Sequence, residues 1–299
     1  MKTYFIRHTN SLRIDDATRE KLWADRRIAI HFPDNSNGRM GPRDNSSLDP
    51  NDYPKKGRKQ MRTLCELAKT GGYVCAEHYG KSDCLLGYVK PGSKIDLVRG
   101  HWDGESGYGS RKAILKSLRL GRVRLLAPCD SAVILVGRPR QGTIAHWRRG
   151  EEEGFVRNIV DGRHVRPSLG TLHPYQQEIM CGEFLRSREV KAYGLPRLAH
   201  LLLPIGRNLR GIDICGITES GRTIFAQVTY HRLEHCDKKM KSLLAFRDGR
   251  RNDLILFCKA SKPTTSKGVK IVPLQAVYEK FAATATGKRW VERVANPIR

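Results

Sequence analysis

The sequence has no apolar segment long enough to cross a membrane. The longest candidate, Leu198 to Ile205, is interrupted by His200 and Pro204, whereas a spanning helix needs about 20 consecutive apolar residues. The first residues turn polar before they can form the apolar core of a signal peptide. We therefore expect a soluble, cytoplasmic protein.

Closely spaced cysteines are also missing. The 8 cysteines include no C-x-x-C pair, and a structural zinc site needs clustered thiolates. Several of them, such as Cys75 and Cys258, stand among apolar neighbours. This pattern is typical of small buried side chains in a reducing compartment, and it argues against a zinc site.

Acidic residues are scarce relative to basic ones. Asp and Glu number 30 against 55 Lys and Arg, which gives a net charge of +25. Such an excess works against compaction, so it indicates a polyanionic partner, with nucleic acid first and an anionic membrane surface second. Hydrophobic residues make up 39% of the chain, which is enough for folded cores and excludes a wholly disordered protein.

One change of composition divides the chain, which shows no internal repeat or low-complexity tract. The basic Arg148-Arg149-Gly150 meets the acidic Glu151-Glu152-Glu153, and Gly162, Pro167 and Gly170 follow. Clustered breakers of this kind mark a boundary. The sequence therefore predicts a first domain of residues 1–149, a linker of residues 150–170 and a second domain of residues 171–299. The whole chain of 299 residues has a length that suits two domains.

The first predicted domain has the order strand, helix, strand, helix, then consecutive strands after Gly71-Gly72. The segment from Met61 to Ala76 and the strand from Leu85 to Val89 carry this pattern. It resembles the PUA-like group of small barrels, which includes the EVE and YTH readers of modified bases. The resemblance implies a mixed β-barrel with a pocket that takes up a flipped or single-stranded base.

Aromatic and basic side chains of this domain are candidates for nucleic-acid contact. Trp102 lies in a glycine-rich segment that looks too polar for a core, and binding residues often lie on loops. Between Arg111 and Gly150 only Asp130 is acidic, and basic residues interleaved with an aromatic suit backbone contact and base stacking. The candidates are Trp23, Tyr79, Trp102, Tyr108, Arg138, Arg140, Trp147, Arg148 and Arg149. The alternative for each aromatic is an ordinary packing role.

The second predicted domain begins with a helix from Leu172 to Arg188. An antiparallel hairpin follows, Arg210 to Ile217 with Thr223 to Tyr230, then a helix from Leu233 to Phe246 and a nearly continuous apolar strand from Asp253 to Cys258. This order resembles the core of the restriction-endonuclease-like fold, that of the PD-(D/E)xK nucleases. The whole chain is thus expected to be α/β (α+β).

Two short motifs carry this second resemblance. The family has an Asp on one hairpin strand and Glu or Gln-x-Lys on the next, and here Asp213 lies between two isoleucines and Gln227 follows in Ala226-Gln227-Val228. A carboxylate often comes from the preceding helix, where Glu178 fits better than Glu183. Phosphodiester hydrolysis uses Mg²⁺ or Mn²⁺ held by hard oxygen ligands, so the resemblance implies Asp213, Gln227 and Glu178 as metal ligands.

The departure from the family pattern is Thr229, which stands where the family has a lysine. That lysine orients water and neutralises developing charge. On helix geometry, Lys238 points away from the apolar stripe of the following helix, whereas Lys239 lies at its edge. Lys239 is therefore the candidate for a relocated lysine, and the alternative is a solvated charge.

The leading hypothesis is a Mg²⁺-dependent DNA endonuclease that reads a modified base with its first domain and cleaves with its second. This arrangement resembles the modification-dependent restriction enzymes of prokaryotic defence. One alternative is a non-catalytic nucleic-acid-binding sensor with a degenerate nuclease fold, which Thr229 and Gln227 favour; another is an RNA-directed nuclease. No membrane partner is expected, and a homodimer is implied by the resemblance alone.

Overall fold

The chain forms two compact units of mixed helices and strands. The computed structural model describes residues 1–8, 12, 14–32, 46–102, 112–135, 138–139, 142–147, 152–202, 211–249 and 251–297. The first unit comprises Met1–Val165 with Asn296–Arg299, and the second comprises Arg166–Ala295. Within the described ranges, no helix combines the length and the apolar content that a membrane crossing requires.

The first unit contains two sheets and four helices within its described residues. In chain order these are β1 (Thr3–His8), α1 (Asp16–Ala24), β2 (Arg27–Ile30), α2 (Lys55–Thr70), β3 (Gly72–His78), β4 (Cys84–Val89), β5 (Asp96–His101), β6 (Lys112–Arg119), β7 (Gly121–Leu126), α3 (Pro128–Leu135), β8 (Ile144–His146) and α4 (Glu152–Asp161). One sheet has the order β7-β4-β3-β1-β8, and the other has the order β2-β6-β5.

The strand β1 lies in the middle of the first unit and is covered on both faces. Tyr4 and Ile6 pack with Met61 and Leu64 of α2, whereas Phe5 packs with apolar residues of α4. Successive side chains of a strand point to opposite faces, so one strand contributes to two cores. Its parallel pairing with β3 depends on the crossover through α2.

The predicted β-barrel does not occur among the described strands. Their two sheets are open, and β7 and β8 stand at opposite edges of the five-stranded sheet. The parallel β1–β3 pair and its crossover helix give an open, helix-covered sheet, because α2 and α4 cover its two faces. The coarser expectation of mixed helices and strands holds, but closure into a barrel was wrong for this part of the chain.

The prediction of a linker at residues 150–170 is also wrong for residues 152–161. They form α4, whose Val156 and Val160 are buried against the five-stranded sheet. The break in composition therefore marks the start of an amphipathic helix, and the first unit continues to Val165.

The second unit is built around one six-stranded sheet. Its elements are α5 (Pro174–Arg186), β9 (Leu198–Leu201), β10 (Ile214–Thr218), β11 (Thr223–Arg232), α6 (Asp237–Leu244), β12 (Asn252–Lys259), β13 (Thr264–Ser266), β14 (Val269–Pro273), α7 (Leu274–Ala283) and α8 (Ala285–Ala295). The sheet order is β13-β14-β12-β11-β10-β9. The strands β9, β10 and β11 form an antiparallel meander, and β11, β12 and β14 are parallel.

Helices cover the sheet where its strands are most apolar. The helix α6 packs through Leu243 on the face of β12 that carries Leu254 and Leu256. The helices α5 and α7 contact one another and also β11. The strand β12 is buried along nearly its whole length, as expected for a parallel strand covered on both faces.

Replacing Gly216 by alanine tests the close approach of β9 to β10. A Cβ at Gly216 would lie 2.4 Å from Leu198 Cδ1 and 2.5 Å from the carbonyl oxygen of His200, so the strands must separate. We expect Gly216→Ala to lower the free energy of unfolding by about 1–3 kcal/mol in urea denaturation. The control is Gly182→Ala in α5, where the nearest atom is 3.9 Å away and alanine favours the helix by up to about 1 kcal/mol. Equal destabilisation by both changes would contradict the packing described.

Candidate functional site

Asp213 is held at the point where the chain enters β10. Its backbone N–H donates to the carbonyl of Ala226 at 3.0 Å, and its Oδ2 accepts from the N–H of Val228 at 2.8 Å. The carboxylate is a quarter exposed, although Ile212 and Ile214 on either side are buried. Neighbouring β11 therefore fixes the carboxylate while leaving it in reach of solvent.

Lys239 of α6 reaches the same place. Its Nζ donates to the carbonyl oxygen of Val228 at 3.2 Å and lies 3.8 Å from Asp213 Oδ2. Packing of α6 through Leu243 sets this direction, and the neighbouring Lys238 is exposed. The structure thus brings Lys239, the lysine that helix geometry selected, to Asp213. Thr229, the next residue of β11 after Val228, carries no charge.

Gln227 and Thr229 are both buried on β11. The side-chain amide of Gln227 donates to the carbonyl oxygen of Gly211, which directs its nitrogen toward the segment that precedes Asp213. The hydroxyl of Thr229 accepts from the N–H of His231 at 3.3 Å. Both side chains therefore have a local structural partner, and Gln227 bonds through its amide nitrogen.

Glu178 lies on α5, the helix that also carries the buried thiol of Cys181. Burial raises the pKa of the Cys181 thiol well above its ordinary value, and the negative charges of Glu178 and Asp213 raise it further. The two carboxylates therefore act on one buried thiol. Glu183, the other acid of this helix, instead forms an ion pair with Arg186 at 3.6 Å. Sequence reasoning overlooked Cys181, although its position three residues after Glu178 puts both on one helix face.

The donor atoms around Asp213 suit a hard divalent cation. The Asp213 carboxylate and the Val228 carbonyl both lie beside Lys239 Nζ, and both are oxygen ligands of the kind that Mg²⁺ prefers. In the described part of the chain, no group of three or more His, Cys, Asp or Glu side chains is placed to hold a metal ion. A small number of protein ligands is compatible with Mg²⁺, because this ion keeps several of its waters when protein-bound.

The two tryptophans predicted to stack on bases are core residues instead. Trp102 pairs with Ile14 in an isolated bridge, packs 4.3 Å from His31 between ring centroids, and belongs to a buried cluster. Trp147 is buried edge-on against Phe5. The prediction was wrong because it judged both residues by polar neighbours in sequence, whereas each continues the pairing of a strand.

Trp23 and Tyr79 keep ring surface accessible in the first unit. Trp23 is partly buried and has Arg26 and Lys81 each 5.7 Å from its ring centroid. Tyr79 is exposed, and Arg19 lies 5.0 Å from its ring. Aromatic rings flanked by cations suit contact with a stacked base and its phosphate.

The remaining candidates for nucleic-acid contact divide into two groups. Arg138 is exposed and forms an ion pair with Glu77, a carboxylate that it shares with Arg7. Tyr108, Arg140, Arg148 and Arg149 lie outside the described residues.

Comparison with protein-family models, with curated proteins and with solved structures gives no match for this chain. Since a fold by itself does not specify a function, the chemistry of the site is what bears on the function of this chain.

Proposed function

We propose that this protein is a Mg²⁺-dependent endonuclease whose second unit hydrolyses phosphodiester bonds. The observation that carries the proposal is the 3.8 Å approach of Lys239 Nζ to Asp213 Oδ2. The charges of Glu178 and Asp213 both raise the pKa of the Cys181 thiol, which supports assigning both carboxylates to one site. Carboxylates supply oxygen ligands for a divalent cation, and an ammonium beside them counters the charge that develops on phosphate during hydrolysis.

The order of elements in the second unit supports the proposal. A helix, an antiparallel meander, a second helix and a parallel strand follow one another, which is the order of the PD-(D/E)xK nuclease core. Asp213 stands at the start of the middle strand of the meander, and Gln227 lies on the next. Within this proposal, Lys239 takes the role that Thr229 cannot fill.

Each residue of the site has a distinct task. Asp213, Glu178 and Gln227 would hold Mg²⁺ or Mn²⁺, which polarises the phosphate and lowers the pKa of a bound water. The N–H of Val228 keeps the Asp213 carboxylate in one orientation. Lys239 places positive charge beside that carboxylate, where the attacked phosphate gathers negative charge.

The proposed substrate is DNA, with base recognition by the first unit. The net charge of +25 supports a polyanionic substrate, and the rings of Trp23 and Tyr79 offer surface for base contact. Dependence on a modified base and a homodimer that cuts both strands belong to the same proposal. RNA is the alternative substrate, and the experiment below includes it.

A second candidate function is non-catalytic nucleic-acid binding. It is favoured by one observation, namely that Lys239 already contacts the carbonyl of Val228 and lies near Asp213, two groups that a cation would use. In that case the ammonium would replace the cation and the site would only bind.

The experiment is incubation of the purified chain with Mg²⁺ or Mn²⁺ and three substrates: an unmodified plasmid, a plasmid with modified cytosine or adenine, and a structured RNA. We expect cleavage of the modified plasmid, abolished by EDTA. Cleavage of both plasmids would remove the requirement for a modified base, and cleavage of RNA alone would change the substrate. Tight binding with no cleavage of any substrate would contradict the nuclease proposal and support the second candidate.

Lys239→Met tests the relocated lysine. We expect cleavage to fall about 10²-fold, the scale on which removal of one charge-stabilising group acts, as measured by initial rates on the preferred substrate. Lys238→Met is the matched control, since it removes the same charge from the exposed neighbouring position. If both variants cleave at the same rate, Lys239 has no catalytic role.

A further inference from the structure

The first unit has a basic cleft beside β7, which is an edge strand among those described. The cleft has a volume of about 580 Å³ and is lined by Arg122, Val123, Arg124, Val160, Asp161 and Arg163. Three arginines therefore face one carboxylate, and all three are exposed. The cleft has an excess of positive charge that is open to solvent.

Asp161 orients two of these arginines, Arg122 and Arg163. Its Oδ1 accepts from Arg122 Nη1 at 3.1 Å, and its Oδ2 lies 3.7 Å from Arg163 Nε while accepting from the hydroxyl of Tyr73 at 2.8 Å. The carboxylate is only 10% exposed. It therefore contacts Arg122 and Arg163 from the buried side of the cleft and leaves their outer faces open to solvent. Its single charge is shared between two arginines.

Arg124 adds the third guanidinium. A Cβ at Gly162, just past α4, would lie 3.8 Å from Arg124 Nη2, so this side chain reaches across the cleft toward Arg163. Arg124 has no ion pair among the described residues. Its charge is therefore the uncompensated part of the cleft.

The backbone at Arg122 is distorted in a way that redirects its side chain. The pairing of β7 with β4 shifts register at this point, and Arg122 has a φ of 50°, which is uncommon for a residue other than glycine. Bulges re-aim side chains and often lie beside functional sites. The guanidinium also lies 5.4 Å from the ring centroid of Tyr88, which further fixes its position.

We infer that this cleft binds a phosphate group of the nucleic-acid backbone. Guanidinium groups match phosphate oxygens through paired hydrogen bonds, and Asp161 holds two of the three, Arg122 and Arg163, before the ligand arrives. The inference rests on the proposed function, since its ligand is the same nucleic acid, and it assigns a separate anchoring site on the first unit. Sequence reasoning placed Arg122 and Arg124 in a basic segment but overlooked Arg163, which lay in the predicted linker.

The test is binding of a fluorescent DNA duplex to the full chain in EDTA, measured by anisotropy over a range of salt concentrations. For Arg124→Gln/Arg163→Gln we expect Kd to rise about tenfold or more, and the slope of log K against log salt to become shallower by about 1–2. The matched control is Arg62→Gln/Arg99→Gln, which removes equal charge from exposed positions outside the cleft. We expect this control to change Kd by about twofold.

Duplexes with uncharged methylphosphonate linkages give the second arm. If the arginines contact phosphate charge, the difference in Kd between wild type and the cleft variant disappears on this backbone. Equal weakening by the cleft and control variants would overturn the inference. If wild type cleaves DNA and the cleft variant binds DNA as tightly as wild type does, the inference alone is overturned. If wild type binds no nucleic acid, the proposed function is overturned as well.

Discussion

Asp213→Asn is expected to lower metal-dependent cleavage by at least about 10³-fold, the scale on which loss of an essential charged group acts. The amide has the shape of the carboxylate, and its oxygen can still accept from the N–H of Val228, as Asp213 Oδ2 does at 2.8 Å. The fold should therefore persist while the negative charge that faces Lys239 is lost. Initial cleavage rates with Mg²⁺ measure the effect.

Asp248→Asn provides the matched control for this change. Asp248 is exposed just after α6, so the variant removes the same charge from the same unit without touching the site. Cleavage by Asp213→Asn within about tenfold of the wild-type rate would contradict the catalytic role of Asp213, because a change below 1.4 kcal/mol in barrier is too small for a metal-binding carboxylate.

Acidification is expected to destabilise the first unit strongly. Burial lowers the pKa of His8 to about 4 and that of His78 to about 2, and burial together with the charge of Lys116 lowers that of His31 to about 4. In the unfolded chain these imidazoles have a pKa near 6.5, so between that pH and their lower pKa in the folded chain the unfolded state binds more protons. The free energy of unfolding therefore falls as pH drops from about 6.5 to about 4 for His8 and His31, and on to about 2 for His78. These groups leave it unaffected above about pH 7.

The expected size of this loss is about 2 kcal/mol per histidine at pH 5, or about 6 kcal/mol for the three together. Urea denaturation at pH 7.5 and pH 5 measures it through tryptophan fluorescence, since three of the 4 tryptophans lie in the first unit. Unchanged denaturation midpoints between these pH values would contradict the buried, neutral state of the histidines.

His78→Phe separates one contribution from the rest. The Nε2 atom of His78 is buried without a hydrogen-bond partner in the described structure, so phenylalanine removes no bond there. This variant should lose about 2 kcal/mol less than wild type on acidification to pH 5. His101→Gln, at an exposed position, is the matched control.

Local patterns predicted most helices and strands but not their ends. The helix α2 begins at Lys55, six residues before the segment from Met61 that carries the predicted pattern, because its first turn is polar and has no capping side chain to mark it. The helix predicted from Leu233 begins at Asp237 after a short 3₁₀ turn. The strand β6 was overlooked because basic residues interrupt its apolar pattern, and Lys116 is nevertheless buried within it.

Pairing over long distances could not be predicted from local patterns. The parallel register of β1 with β3 joins residues about 70 positions apart, and it decides that the sheet stays open. The position of Lys239 was easier to infer, because the apolar stripe of α6 fixes the rotation of that helix on the sheet. Its distances to Val228 and Asp213 depended on packing that only the folded chain supplies.

Titration of the chain with Mn²⁺, followed by isothermal calorimetry, tests the central claim most directly. Wild type is expected to bind the cation, and Asp213→Asn and Glu178→Gln are each expected to weaken binding at least about tenfold, while Asp248→Asn binds as wild type does. Absence of binding, or equal binding by wild type and Asp213→Asn, would contradict a metal-dependent site at Asp213.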